Sequence, residues 1–120
     1  MTTVTLLSTT EYGVPSGNYD GSSQDWSGVS ALAADYYQGR GSIQTVTISV
    51  TGFEGVIYIE ACLDSVSEAA NWFSTYQYGD GSSTPITDYN VYAIQGNFTW
   101  LRARVEAFSG GTINAVTVTY

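Results

Sequence analysis

The chain has 120 residues, with 11 Asp and Glu against three Arg, no Lys and no His, for a net charge of −8. At this size a single domain over residues 1–120 is expected, with about two-thirds of its surface buried. Without His the commonest general base and metal ligand is missing, and one Cys leaves no internal disulfide. Without Lys, little remains to neutralise phosphates, so nucleic acid and anionic membranes are excluded as partners.

The start, Met1-Thr2-Thr3-Val4-Thr5-Leu6-Leu7, lacks the basic opening and apolar stretch of a signal peptide, and no apolar run spans a bilayer. Synthesis in a cytoplasm is the expectation. Fifteen Thr, 11 Val and ten Tyr form a strand composition. Thr2 to Ser8 reads as a terminal strand. Ser42 to Thr51 alternates Gln44, Val46, Ile48 and Val50 against hydroxylated neighbours. Gly55 to Leu63 is apolar on both faces, as a central strand would be, and Cys62 within it reads as a small buried hydrophobe.

Asn71 to Tyr78 and Ile86 to Ile94 follow as strands. Phe98 to Phe108 sets Leu101, Ala103, Val105 and Ala107 against Arg102, Arg104 and Glu106, and Thr112 to Tyr120 closes the set. Glycine-bearing turns are expected at Thr51 to Gly55, Tyr78 to Ser82 and Gly96-Asn97, with a tight hairpin at Gly110-Gly111. The sum is an all-β, antiparallel, jelly-roll-like β-sandwich of about seven to eight strands, with residues 42–120 forming the core strands.

The stretch Thr9 to Gly41 differs: it holds six Gly, four acids and few aliphatics. Such a segment cannot offset its own ordering cost, roughly 1–2 kcal/mol per residue. Its aromatics Tyr12, Tyr19, Trp26, Tyr36 and Tyr37 are the candidate interface residues, since rigid rings with polar tips suit partner contacts. Trp26, in polar surroundings, is expected to be exposed or covered by a partner. The alternative is that the segment folds back over the open end of its own sandwich.

No other constellation carries chemistry. Glu60 and Asp64 lie about 13 Å apart along a strand, too far for a glycosidase pair. Asp20 to Asp25 and Asp80-Gly81-Ser82 offer carboxylates without the spacing of a calcium loop, and read as turn chemistry. No catalytic residue, cofactor or metal site is assigned. Trp72 and Trp100 read as core residues. Arg102 and Arg104 are expected to seek Glu106, Glu60 or Glu54 across strands and to organise the surface.

The run Gly52-Phe53-Glu54-Gly55-Val56-Ile57-Tyr58-Ile59-Glu60-Ala61-Cys62-Leu63-Asp64, then Asn71-Trp72-Phe73, resembles small jelly-roll sandwich modules in structural proteins of tailed bacteriophages. So does Gly96-Asn97-Phe98-Thr99-Trp100-Leu101-Arg102-Ala103-Arg104-Val105 with Ser109-Gly110-Gly111-Thr112-Ile113. Discoidin-like, galactose-binding sandwiches are similar over the same span, roughly Ser42 to Tyr120. Ala61-Cys62 stands where those modules usually have serine, Asp64 to Ala70 is a longer turn than theirs, and no sugar-binding loop motif carries over.

The resemblance implies a non-enzymatic virion structural protein, made in a bacterial cytoplasm and assembled in many copies as a capsid decoration (cement) or a neck or tail accessory protein. Its implied partners are itself, as a homo-oligomer, and other virion proteins. The sandwich edges Thr2 to Ser8 and Thr112 to Tyr120, unguarded by Lys or Pro, are the expected self-association edges. The alternative is a carbohydrate-binding module or tail adhesin for host glycans.

Overall fold

A computed structural model of the chain describes residues 3–34, 43–65, 71–82 and 84–120. Among them are eight strands and no helix: β1 (Thr3–Leu7), β2 (Thr10–Glu11), β3 (Trp26–Ser27), β4 (Ala31–Leu32), β5 (Ile43–Cys62), β6 (Phe73–Tyr78), β7 (Ile86–Gln95) and β8 (Trp100–Thr119). Every pairing is antiparallel. The fold class expected from composition is the one the chain adopts.

Two strands of 20 residues, β5 and β8, run side by side and organise everything else. A straight 20-residue strand would reach about 66 Å. The longest extent of the molecule is 38 Å, so both strands must bend. The bend falls where the ladder loses register, between Thr51 and Val56 of β5. Inward positions are even from Gln44 to Val50 and odd at Ile57, Ile59 and Ala61. On β8 the parity changes as well, from Leu101, Ala103 and Val105 to Val116 and Val118. Extra residues at the corner thus keep the apolar side on the concave surface, as bulges do where strands pass between sheets.

Each long strand contributes to both layers of a sandwich. In the first layer β6 pairs the C-terminal half of β5, whose other side holds the N-terminal half of β8, edged by β3 and β4. In the second, β7 pairs the N-terminal half of β5, followed by the C-terminal half of β8 and then β1 and β2. One buried cluster joins them, from Val46, Ile48 and Val50 to Ile57, Ile59, Leu101 and Val105.

Three expectations are corrected. Gly110-Gly111 makes no hairpin, because the segments before and after it continue one strand and never pair with each other. Thr51 to Gly55 is likewise a corner inside β5. A glycine at positive φ, as Gly52 (61°) and Gly111 (83°) both are, serves a bulge as readily as a turn. Thr112 to Tyr120 is not an edge either, since β5 and β1 flank it.

The segment after β1 also departs from the expectation of a partner-seeking loop. It runs antiparallel along the outer side of β8: β2 opposes Ile113 and Thr112, β3 opposes Val105 and Arg104, and β4 opposes Leu101 and Trp100. Between strands, Gly28 N–H donates to Ala103 O at 2.8 Å, Phe108 N–H to Gln24 O at 3.1 Å and Ala107 N–H to the Asp25 carboxylate at 3.1 Å. Residues 9–34 are thus ordered against their own sandwich, though along β8 and not over the open end that the fold-back alternative named.

Candidate functional site

The outward face of the first layer carries a constellation of charged and aromatic side chains. Register sets it: Glu60 lies opposite Arg102 and Tyr58 opposite Arg104. The two-residue period of a strand therefore puts Tyr58, Glu60, Arg102, Arg104 and Glu106 on one surface. Arg102 Nε donates to Glu60 Oε1 at 2.7 Å, and Arg104 Nε to Glu60 Oε2 at 2.9 Å. Arg104 also pairs with Glu106 through Nη1. Both Glu60 oxygens are thus engaged, and the residue is only 6% exposed.

Aromatic rings complete the arrangement. The Arg102 guanidinium lies 4.4 Å from the centroid of Trp72, and that of Arg104 4.4 Å from the centroid of Tyr58. Each such contact contributes about 0.5–2 kcal/mol. Burial opposes the charge on Arg104, but the hydrogen bonds and charges of Glu60 and Glu106 outweigh it and raise its pKa above the ordinary range. The cluster is neutral as a whole, with two positive and two negative side chains. The arrangement holds two guanidiniums and two aromatic rings in fixed positions, and so can bind and orient a partner group.

Of the three acids named from sequence as partners for these arginines, Glu60 takes both and Glu106 takes one. Trp72 and Trp100 were expected in the core; both instead lie half-buried outside the core cluster. Neighbouring parity explains it, since Leu101 and Phe73 take the adjacent positions that face inward or toward Phe98. Sequence inspection missed the pairing of Trp72 with Arg102, which depends on β6 lying beside β5; only the alternation of Arg102, Arg104 and Glu106 hinted at it.

Of the five residues picked as interface candidates, Tyr12, Tyr19 and Trp26 gather around the Phe108 ring. Tyr19 is 1% exposed, its ring tilted against Trp26 at 5.1 Å and edge-on to Phe108 at 5.2 Å. Trp26 is half-buried opposite Val105, packed against the core rather than exposed, because β8 draws β3 into its ladder. Its indole N–H is buried without an acceptor. Tyr12 remains 44% exposed, edge-on to Phe108 at 5.5 Å. Tyr36 and Tyr37 lie outside the described residues.

The two acidic turns spend their carboxylates locally. Asp20 accepts from the backbone of Ser22 and Ser23 and from the Ser23 hydroxyl at 2.7–2.8 Å. The Ser23 hydroxyl leads these in holding the carboxyl down at about 2. Asp80 accepts from Ser82 N–H at 2.9 Å in the same manner. Cys62 is buried, with its sulfur 3.4 Å from the Thr99 hydroxyl.

At the open side of the sandwich, β6 and β7 approach each other from the two layers. Tyr76 stacks on Tyr92 at 4.1 Å, Asn90 donates to the Tyr76 hydroxyl at 2.8 Å, and Tyr78 donates to Asp88 at 3.1 Å. Beside them lies a groove of about 500 Å³ lined by Phe73, Ser74, Thr75, Tyr92, Gln95 and Phe98. Compared with protein-family models, with curated proteins and with solved structures, the chain matches none.

Proposed function

We propose that the chain is a non-enzymatic structural component of a tailed-phage virion, a decoration, neck or tail accessory module assembled in many copies. The resemblance of residues 42–120 to phage sandwich modules supports the virion setting. The geometry that carries the reading is the Glu60 cluster, in which two guanidiniums are held on one carboxylate and each is stacked on an aromatic ring.

Trp, Tyr and Arg are the residue types that dominate protein–protein hot spots. Here the strands hold them in place before any partner arrives, so little ordering cost falls on binding. The neutral cluster also gives a chain of net charge −8 a surface on which an acidic partner meets little repulsion. The face is accordingly read as the contact with a larger virion protein.

A glycan-binding reading draws on the half-buried ring of Trp72, which could stack on a sugar. The two readings separate in one assay on the full chain. Under the structural reading, immobilised chain captures virion proteins from disrupted particles of the phage that encodes it, and its Trp fluorescence is unmoved by glycans. Saturable fluorescence change with a glycan, and no capture of virion proteins, would overturn it.

A further inference from the structure

We infer that β7 is a self-association edge, pairing antiparallel with β7 of a second copy about a two-fold axis near Val91. The inference rests on the proposed assembly of many copies and names the surface they use on each other.

Six described strands pair on one side only; β2, β3 and β4 are two residues long, which leaves β1, β6 and β7 as the edges of useful length. β1 loses register between Thr5 and Leu7, and β6 pairs across a break between Ile59 and Glu60 of β5. Such bulges twist an edge and discourage further pairing. The break in β7 pairing is confined to its start, between Ile86 and Asp88; from Asp88 to Gln95 the strand follows β5 residue by residue without a shift. It carries no Pro, Lys or Gly. Its one charge, Asp88, turns to Tyr78 and to its own neighbour.

The side of the β7 backbone away from β5 meets no other described strand. Tyr89 N–H donates to the Asp88 carboxylate at 2.8 Å and so points away from β5. By the two-residue period, Val91 and Ala93 present theirs on the same side. The outward side chains are apolar and open, Tyr89 69% and Val91 56% exposed.

The segment is also complementary to itself. With Val91 of each copy on the axis, Tyr89 of one copy lies opposite Ala93 of the other and Asn90 opposite Tyr92, while Asp88 meets Ile94. The two Asp88 carboxylates then stand about 20 Å apart along the pair, beyond the screening length at physiological salt. The adjoining outer surface, with Thr45, Thr47 and Ser49 on β5 and Ala115, Thr117 and Thr119 on β8, carries no charge. Two strongly acidic copies can therefore meet here without placing acid against acid, and the second layers join into one continuous sheet. A second copy is thus the occupant that fits.

Sedimentation equilibrium of the full chain from micromolar to near-millimolar concentration tests this. The wild type should pass from monomer to dimer. Val91→Lys should weaken the dimer about tenfold or more with the melting temperature unchanged, and Thr5→Lys, on the same face but on β1, should dimerise as the wild type does. Val91→Cys should give a covalent dimer on oxidation. A wild type monomeric throughout, a Val91→Lys dimer as tight as the wild type, or no cross-link through Val91→Cys would each overturn the inference. Dimerisation through β7 by a chain absent from particles leaves this interface standing and removes the virion reading; a monomer that enters particles does the reverse.

Discussion

Gly52 and Gly111 meet back to back where the two long strands turn the corner, and a Cβ on Gly111 would stand 2.1 Å from the Gly52 carbonyl oxygen. Gly111 also sits at φ 83°, which side chains resist. Both faults act at one place. Gly111→Ala should therefore cost about 3 kcal/mol or more, or prevent folding. Gly17→Ala has positive φ but nothing within 4 Å, and should cost only about 1 kcal/mol. Equal losses in urea titrations would mean that the corner does not close as described.

Phe108 gathers Tyr12, Tyr19, Trp26 and Phe53 around one ring, all with centroids within 6.2 Å. The N-terminal segment is docked here, so Phe108→Ala should cost about 3–5 kcal/mol. Trp26 offers a finer test because its buried N–H has no acceptor. Trp26→Phe removes that orphan donor along with some volume and should cost under about 1 kcal/mol, against about 3 for Trp26→Ala. Thermal melts of the two variants check this; an unmoved melting temperature for Trp26→Ala would restore the segment to a loop held only by a partner.

The Glu60 cluster should respond unequally to loss of its two acids. Glu60→Gln leaves two half-buried guanidiniums short of their counter-charge and should cost about 2–3 kcal/mol. Glu106→Gln, at the more exposed rim, should cost less than about 1 kcal/mol. Chemical denaturation of both variants decides whether Glu60 is the keystone of the face.

Tyr78 supplies a pH test. Burial, and then its hydrogen bond to Asp88, push its hydroxyl up to about 12 from 10.0. A raised pKa means that the folded state holds its proton more tightly than the unfolded chain. The stability so gained is present below about pH 10 and drains away as pH rises toward 12. Tyr78→Phe should flatten that part of the alkaline stability curve, followed by far-UV circular dichroism. The same slope in both proteins would contradict the assignment.

Much of this fold was legible in sequence because a period of two is a local property: the strands at Ser42 to Thr51, Gly55 to Leu63 and Ile86 to Ile94 follow from alternation and turn residues. What joined them was not. Gly52 and Gly111 look alike in a hairpin and in a corner, so one bent strand reads as two. The short strands β2, β3 and β4 have no pattern of their own and exist because β8 offers them an edge. The site was half visible, since Arg102, Arg104 and Glu106 alternate, whereas Trp72 reaches Arg102 only through the pairing of β6 with β5. Likewise the exposure of β7 depends on which strand lies at the rim, a matter of tertiary order.

The functional claim meets its most direct test in the composition of the particle. Quantitative mass spectrometry of purified particles from the phage that encodes the chain should find it in many copies. Particles grown with Trp72→Ala, a variant that leaves the Glu60 ion pairs in place, should carry far fewer copies of a chain that still folds. Absence of the wild-type chain from purified particles, or undiminished incorporation of the Trp72→Ala chain, would contradict the account.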